Sequence, residues 1–276
     1  CGGSLAFFGR RLGYTYAICT SCETILLTPI PSVEWLAKAY RDEYADANHI
    51  ATDAGVSRAA TRTLHAALVD ALQRHGSPGP VLDYGAGWGG LVMQLTSAGF
   101  DVVGYDLSET MVTACPRNGL PMKLGGIDDV TEREFGALVL ASVFEHLSEP
   151  SQWLRAARAR LRTGGLLVTT QPTAPFARTV GDLARLRIRS IPLPGLHQIF
   201  CPPWHVALYS LAGMRRIVED AGFELVEVTP APQQREPGMI GWIQRALELV
   251  NRAGWAAFGL RWPFFTGHIF VFRRLP

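Results

Sequence analysis

The sequence predicts an α/β fold: seven strands in a mostly parallel sheet with helices on both faces. Three observations predict it. From residue 80 onward, apolar β-rich runs alternate with stretches of helical periodicity, the pattern of strand–helix–strand crossovers. Residues 81–90, Val-Leu-Asp-Tyr-Gly-Ala-Gly-Trp-Gly-Gly, carry an apolar strand straight into a glycine-rich turn that feeds a helical stretch at 91–98. A second apolar run, Val102-Val103-Gly104-Tyr105, ends on Asp106, 21 residues after Gly85.

Residues 1–31 come first. Cys1 is followed by two glycines, and Cys19 and Cys22 form a CxxC on a tight turn ahead of an apolar run that ends in prolines at 29 and 31. Such spacing suits a zinc knuckle with three ligands in view. The plainer alternative is a terminal hairpin in which Cys19 and Cys22 are small buried residues.

Residues 32–78 read as a helical cap. Ser32 can cap the first helix, with Glu34 in its opening turn and Trp35, Leu36, Ala39 and Tyr40 as its apolar face. The second runs from about 56 to 76, where Leu64, Leu68, Ala71 and Leu72 recur at helical spacing and Gly76 offers a stop. The main domain, 79–276, has strands near 80–84, 101–105, 120–124, 137–142, 165–170, 223–229 and 267–273.

Two insertions interrupt that domain. Residues 172–203 interleave Arg178, Arg185, Arg187 and Arg189 with Leu183, Leu186, Ile188 and Ile191. The guanidinium groups either clamp a phosphate or carboxylate on an acceptor or form the wet face of a helix. Residues 231–265 contain an amphipathic stretch in which Trp242, Leu247, Val250, Trp255 and Phe258 are compatible with one apolar side. That side packs on its own domain, pairs two subunits, shields a greasy substrate or touches a membrane surface.

The glycine turn carries the chemistry. Gly85, Gly87 and Gly89 let the backbone approach a nucleotide-like ligand, and the following helix points its free N–H groups at an anion. Gly85, Gly87 and Gly90 also satisfy the GxGxxG of dinucleotide-binding enzymes, a weak signal alone. Asp83, two residues before the first glycine, repels a pyrophosphate but suits a ligand bearing an ammonium and a sulfonium. Asp106 at its strand end can accept hydrogen bonds from both ribose hydroxyls.

With Asp83, Gly85, Gly87 and Gly89 standing as DxGxGxG and 104–108 as a second motif, the chain resembles the class I S-adenosylmethionine-dependent methyltransferases. Residues 126–129, 138–147 (LVLASVFEHL) and 161–172 (LRTGGLLVTTQP) continue the resemblance in the family's order. One departure is Gly136, where relatives often carry aspartate after the phenylalanine.

The resemblance implies a Rossmann-like sheet in the order 3-2-1-4-5-7-6 with the seventh strand antiparallel. It implies S-adenosylmethionine as cofactor and S-adenosylhomocysteine as product, bound by Asp83, Tyr84, Gly85, Ala86, Gly87, Gly89, Asp106 and Leu107. Gly126, Ile127 and Asp128 would border adenine, and Ala141, Ser142 and Val143 the methionyl arm. Its N-terminal helices would cover the pocket, placing Tyr40, Tyr44 and His49 at the substrate entrance. Some bacterial relatives carry a zinc ribbon like 1–31, which would make Cys1, Cys19 and Cys22 ligands of a structural Zn2+.

Methyl transfer gains mainly from holding the nucleophile in line with an activated carbon. An oxygen nucleophile also needs a proton taken, a task suited to histidine. His205, in 202–210 with Trp204 and Tyr209, is the first candidate for that base and His146, beside Glu145, the second. Trp204, Tyr209, Arg178, Tyr40 and Tyr44 are the expected substrate residues.

A net charge of +2 makes no case for nucleic acid. Lys38 and Lys123 are the only lysines among 26 basic residues, an arginine bias that suits a GC-rich bacterial genome. No run approaches the roughly 18 apolar residues of a membrane span. Nothing at the N-terminus reads as a signal peptide, so a cytoplasmic location is expected, with peripheral membrane contact left open. The expected acceptor is a small molecule or a sugar- or lipid-linked intermediate, methylated on oxygen. Alternatives are C- or N-methylation of a nucleotide-linked sugar or natural product, a nicotinamide oxidoreductase using the same glycines, and a non-catalytic cofactor-binding scaffold.

Overall fold

The computed structural model describes residues 1–43, 61–76, 79–114, 119–132, 134–185, 199–232 and 239–276. A seven-stranded sheet is built from β4 (Val81–Tyr84), β5 (Val102–Asp106), β6 (Met122–Leu124), β7 (Phe135–Ala141), β8 (Leu161–Pro172), β10 (Phe223–Pro230) and β11 (Gly267–Arg274). Its spatial order is β10-β11-β8-β7-β4-β5-β6. Counted along the chain, this is the expected 3-2-1-4-5-7-6. β11 runs antiparallel to both β8 and β10, while β4, β5, β6, β7 and β8 pair in parallel.

Alternation within the central strands sorts two cores, as side chains two residues apart share a sheet face. Leu82, Leu138, Leu140, Leu167, Phe270 and Phe272 point one way and meet Trp153, Leu154, Ala157, Met214 and Val218. These come from the helices Pro150–Arg160 and Leu211–Glu219. Val81, Ala137, Val139, Leu166, Val168, Ile269 and Val271 point the other way, against Leu68, Leu72, Leu91 and Leu95 of Arg62–His75 and Gly90–Ser97. Because both faces are covered, β4 and β7 read as nearly unbroken apolar runs.

In chain order the helices are α1 (Val33–Glu43), α2 (Arg62–His75), α3 (Gly90–Ser97), α4 (Glu109–Ala114), α5 (Pro150–Arg160), α6 (Ala174–Arg185), α7 (Leu211–Glu219) and α8 (Met239–Phe258). Ser32 caps α1 by accepting a hydrogen bond from the Trp35 N–H at 3.2 Å. Leu36 is buried beneath α1, but Trp35 stays 47% exposed, so the buried face of this helix is narrower than its apolar pattern. Gly76 ends α2 at φ 65°. The expected start of α2 at 56–60 lies outside the described residues.

The N-terminal segment is sewn into the rest. β1 (Leu5–Arg11), β2 (Tyr14–Cys19) and β3 (Ile25–Thr28) form an antiparallel sheet whose fourth strand is β9 (Ala207–Leu208). Ile25 pairs with Leu208 and Leu26 with Ala207. A separate small core of Tyr16, Ile25, Leu27, Ala174, Ala177, Ile199, Phe200 and Leu208 binds this sheet to α6.

α8 corrects one expectation. Trp242, Leu247, Val250 and Phe258 are exposed, whereas Trp255 packs against Phe265 and His268 at ring distances of 6.0 and 5.4 Å. Asn251 hydrogen-bonds the Phe264 carbonyl and the Trp262 indole on that same inner side. The five residues therefore do not share one buried face. Among the described residues no helix is long and apolar enough to cross a membrane.

Candidate active site

A cavity of about 540 Å³ opens at the carboxyl ends of β4, β5 and β7, where open parallel sheets bind ligands. Its floor is the turn after β4. Gly85, Gly87 and Gly89 all adopt positive φ (73°, 52° and 70°), a conformation that favours glycine. At Gly85 the space is closed as well, since a Cβ would lie 2.4 Å from Val143 Cγ2.

Asp106 stands at the end of β5. One carboxylate oxygen accepts the Gly87 N–H and the other the Ser108 N–H, both at 2.8 Å. Burial raises its pKa while these backbone donors oppose the rise. The acid is thereby fixed in orientation with lone pairs to spare for a diol. Beyond it the wall continues through Leu107, Gly126, Ile127 and Asp128. The Asp129 carboxylate accepts the Gly126 N–H at 2.7 Å and holds that turn.

Ser142, Val143 and His146 form the opposite end of the cavity, just past β7. Ser142 adopts φ 58°, an unusual conformation for a serine, at the point where the chain bends around the cavity. Val33 and Leu36 of α1 and residues 147–149, 152, 153 and 156 of the α5 region supply the remaining walls. Trp153 also braces Tyr84, ring to ring at 5.2 Å.

Ten expected cofactor residues thus line one cavity: Tyr84, Gly85, Gly87, Asp106, Leu107, Gly126, Ile127, Asp128, Ser142 and Val143. Ala86, Gly89 and Ala141 are not part of its wall. Asp83 is not either. It is fully buried behind the turn, with neither carboxylate oxygen hydrogen-bonded. Desolvation, reinforced by Asp106, pushes its pKa up to about 7. The contribution of α5 to the wall was not legible in sequence, because nothing in its spacing shows that its first turns fold back over the glycine loop.

The two histidines come together. His146 and His205 stack edge to face with ring centroids 5.0 Å apart. His146 Nδ1 lies 2.8 Å from the Trp204 carbonyl and His205 Nδ1 2.5 Å from the Ile199 carbonyl. Desolvation and then His205 lower the His146 pKa to about 3, and desolvation lowers that of His205. Only His146 reaches the cavity wall; His205, 9% exposed, lies behind it. Of the two candidate bases, His205 was set first by the sequence, and it is the second, His146, that meets the cavity.

The expected substrate residues are dispersed. Arg178 is ion-paired with Glu23 of the CxxC turn and is not part of the cavity wall, so its charge is already matched by the N-terminal sheet. Tyr209 is buried against Phe144 at 5.2 Å and lies away from the cavity wall, and Trp204 contributes its carbonyl to His146. Tyr40 is on α1, its side chain outside the described residues, as are Tyr44, His49, Arg187 and Arg189.

Cys1, Cys19 and Cys22 do meet. Cys1 Sγ lies 3.2 Å from Cys19 Sγ and 3.3 Å from Cys22 Sγ. A Cβ on Gly3 would sit 2.7 Å from Cys19 Sγ, so glycine there leaves room for the sulfurs. Backbone N–H groups of Cys22 and then Ser21 lower the Cys19 pKa, favouring thiolate. The donor set fits a thiophilic ion.

A family model described as "Methyltransferase domain" matches residues 56–228. Among solved structures, 1,6-didemethyltoxoflavin-N1-methyltransferase of Burkholderia thailandensis, with 1,6-didemethyltoxoflavin and S-adenosylhomocysteine bound, is similar over 98% of this chain and 99% of its own. The identity is 14% and the TM-score 0.56. Magnesium protoporphyrin IX methyltransferase of Synechocystis PCC 6803 with bound S-adenosylmethionine is similar over 87% and 97%, at 15% identity and TM-score 0.55. A putative methyltransferase in complex with the Haloferax volcanii Trm112 activator gives 87% and 98%, 16% and 0.55. No curated protein matches the chain.

Proposed function

The chain belongs to the methyltransferase domain family, and on that premise we propose that it transfers a methyl group from S-adenosylmethionine to an oxygen of a small metabolite or of a sugar- or lipid-linked intermediate. The observation that carries this reading is the single cavity that runs from the Asp106 carboxylate to Ser142 and His146. A nucleoside diol fits the Asp106 end, an adenine the apolar edge of Leu107 and Ile127, and an aminoacyl arm the turn at Gly85 and Gly87. The cofactor, when bound, supplies a methyl carbon already activated by its sulfonium.

The protein then has three tasks. The first is to match positive charge, for which Asp83 lies behind the glycine turn and acts on the ligand's ammonium through the turn or a bridging water. The second is to exclude water and fix the approach line, for which Trp153, Leu36 and Val143 wall the cavity. The third is to receive the acceptor at the His146 end. Both histidines are held below ordinary imidazole values, so at neutral pH both are uncharged.

The cysteine cluster completes the proposal with a structural zinc held by Cys1, Cys19 and Cys22, which would tie the loose end of β1 to the turn after β2. The functional reading is tested by titrating the intact protein with S-adenosylmethionine and by incubating it with labelled methyl donor and a metabolite extract. Binding together with transfer of label supports it; binding without any labelled product from extracts leaves the scaffold reading in its place.

A further inference from the structure

Behind the His146 end of the cavity lies a group of side chains that methyl transfer alone does not use. Glu145 is 0% exposed, and neither of its carboxylate oxygens has a hydrogen-bond partner. Leaving such a group bare is costly unless something charged meets it. A carboxylate oxygen of Glu145 and one ring nitrogen each of His146 and His205 lie within 4.8 Å of one another. Glu145 Oε1 is 4.0 Å from His146 Nε2.

We propose that Glu145, His146 and His205 bind a divalent transition metal of the zinc class at the acceptor end of the cavity. Two imidazoles and one carboxylate form a donor set that suits zinc or iron(II) and leaves coordination positions open. Ligand atoms about 2.1 Å from one ion stand about 3 to 3.5 Å apart, so closing the cluster takes side-chain movements of roughly an ångström. Each histidine already sets its Nδ1 against a backbone carbonyl, the contact that orients metal-bound imidazoles. The two contributing segments are also locked together, since the Val206 N–H donates to the Glu145 carbonyl at 2.8 Å. Burial pushes the Glu145 pKa up to about 8, so a cation would have to displace a proton. His146 is the member of the cluster that also belongs to the cavity wall, which places the cluster beside the acceptor end.

The role rests on the proposed function: an acceptor hydroxyl bound to the ion would give its proton to water more readily, so that its oxygen could take the methyl group with S-adenosylhomocysteine leaving, and His146 and His205 would act as ligands in place of a protein base. Metal binding itself does not depend on that reading. The test titrates the chelator-stripped full chain with Co2+ and follows its absorption, for the wild type, for Glu145→Gln and for Cys19→Ser/Cys22→Ser. Thiolate-to-cobalt charge transfer reports the cysteine cluster; ligand-field absorption without it reports the Glu/His cluster. The expected result is a thiolate-free cobalt signal in the wild type and in the cysteine variant, weakened at least tenfold in Glu145→Gln. Far-ultraviolet circular dichroism checks that Glu145→Gln still folds, and His205→Gln gives a second route to the same loss. Cobalt spectra that are identical in wild type, Glu145→Gln and His205→Gln overturn the proposal, as does a cysteine variant that binds no cobalt. S-adenosylhomocysteine binding measured on the same samples separates failure of the metal site from failure of the methyltransferase reading.

Discussion

Replacing Asp83 with asparagine probes the buried charge beneath the glycine turn. The folded-state pKa of about 7 stands above the ordinary aspartate value of 3.8, with burial as the main cause and Asp106 the lesser one. The native state therefore binds the Asp83 proton more tightly than the unfolded chain does. That linkage favours the fold fully below about pH 4 and is lost as pH rises through 7. The shift of about three units corresponds to about 4 kcal/mol between the two limits. Asp83→Asn cancels the dependence, so the variant gains on the wild type by about 2 to 3 kcal/mol between pH 5 and pH 8 in denaturant melts, the part of the shift lying above pH 5. Ligand binding shows the opposite face of the same linkage. A cationic ligand prefers the ionised form, which is about a tenth populated at pH 6, so wild-type affinity for S-adenosylmethionine should fall about tenfold from pH 8 to pH 6. Asp83→Asn should bind about 10- to 100-fold more weakly at pH 8, the worth of a charge-assisted contact, and lose the pH dependence. Calorimetric titrations at three pH values decide it. An asparagine variant that binds as tightly as wild type at pH 8, or keeps the tenfold fall, refutes the role given to Asp83.

Gly85→Ala combines an unfavourable φ with a Cβ 2.4 Å from Val143 Cγ2, and should cost about 1 to 3 kcal/mol in urea melts together with cofactor affinity. Val143→Ala in the same chain should recover only the steric part; a Gly85→Ala protein as stable as wild type contradicts the turn described. Arg178→Ala breaks an exposed pair with Glu23 and should cost under about 1 kcal/mol, matched by Glu23→Gln, with acceptor KM unchanged. A KM rise confined to Arg178→Ala would return that residue to substrate binding. Ser210 caps α7 by accepting the Gly213 N–H at 2.8 Å and donates its hydroxyl to the Cys22 carbonyl. Ser210→Ala should therefore lose about 1 to 2 kcal/mol of stability and loosen the CxxC turn, measured as faster thiol alkylation of Cys22.

The central sheet and most of the cofactor wall were legible in the sequence because they rest on local chemistry. Parallel strands covered on both faces declare themselves as apolar runs, and the glycine turn and the acid ending β5 are contiguous signals. The rest depends on contacts between distant segments. β3 pairs with β9 across about 180 residues, and no periodicity in either short strand announces it. Arg178 stands in an arginine-rich run, yet its partner Glu23 lies in the N-terminal turn. The seventh strand could be placed by alternation, but the inner side of α8 could not, since the side turned to the domain carries Glu248, Asn251 and Trp255 while Leu247, Val250 and Phe258 stay exposed. The two histidines were found singly; that they face each other and a bare Glu145 is a property of the turn after β7 folded against the loop before β9.

The most direct measurement is calorimetric titration of the intact chain with S-adenosylhomocysteine and, in parallel, with NAD+. The Asp106 acid and its glycine turn predict one S-adenosylhomocysteine per chain, affinity that collapses in Asp106→Asn, and no dinucleotide binding. Saturable binding of the dinucleotide with none of the sulfur nucleoside would contradict the assignment of this cavity.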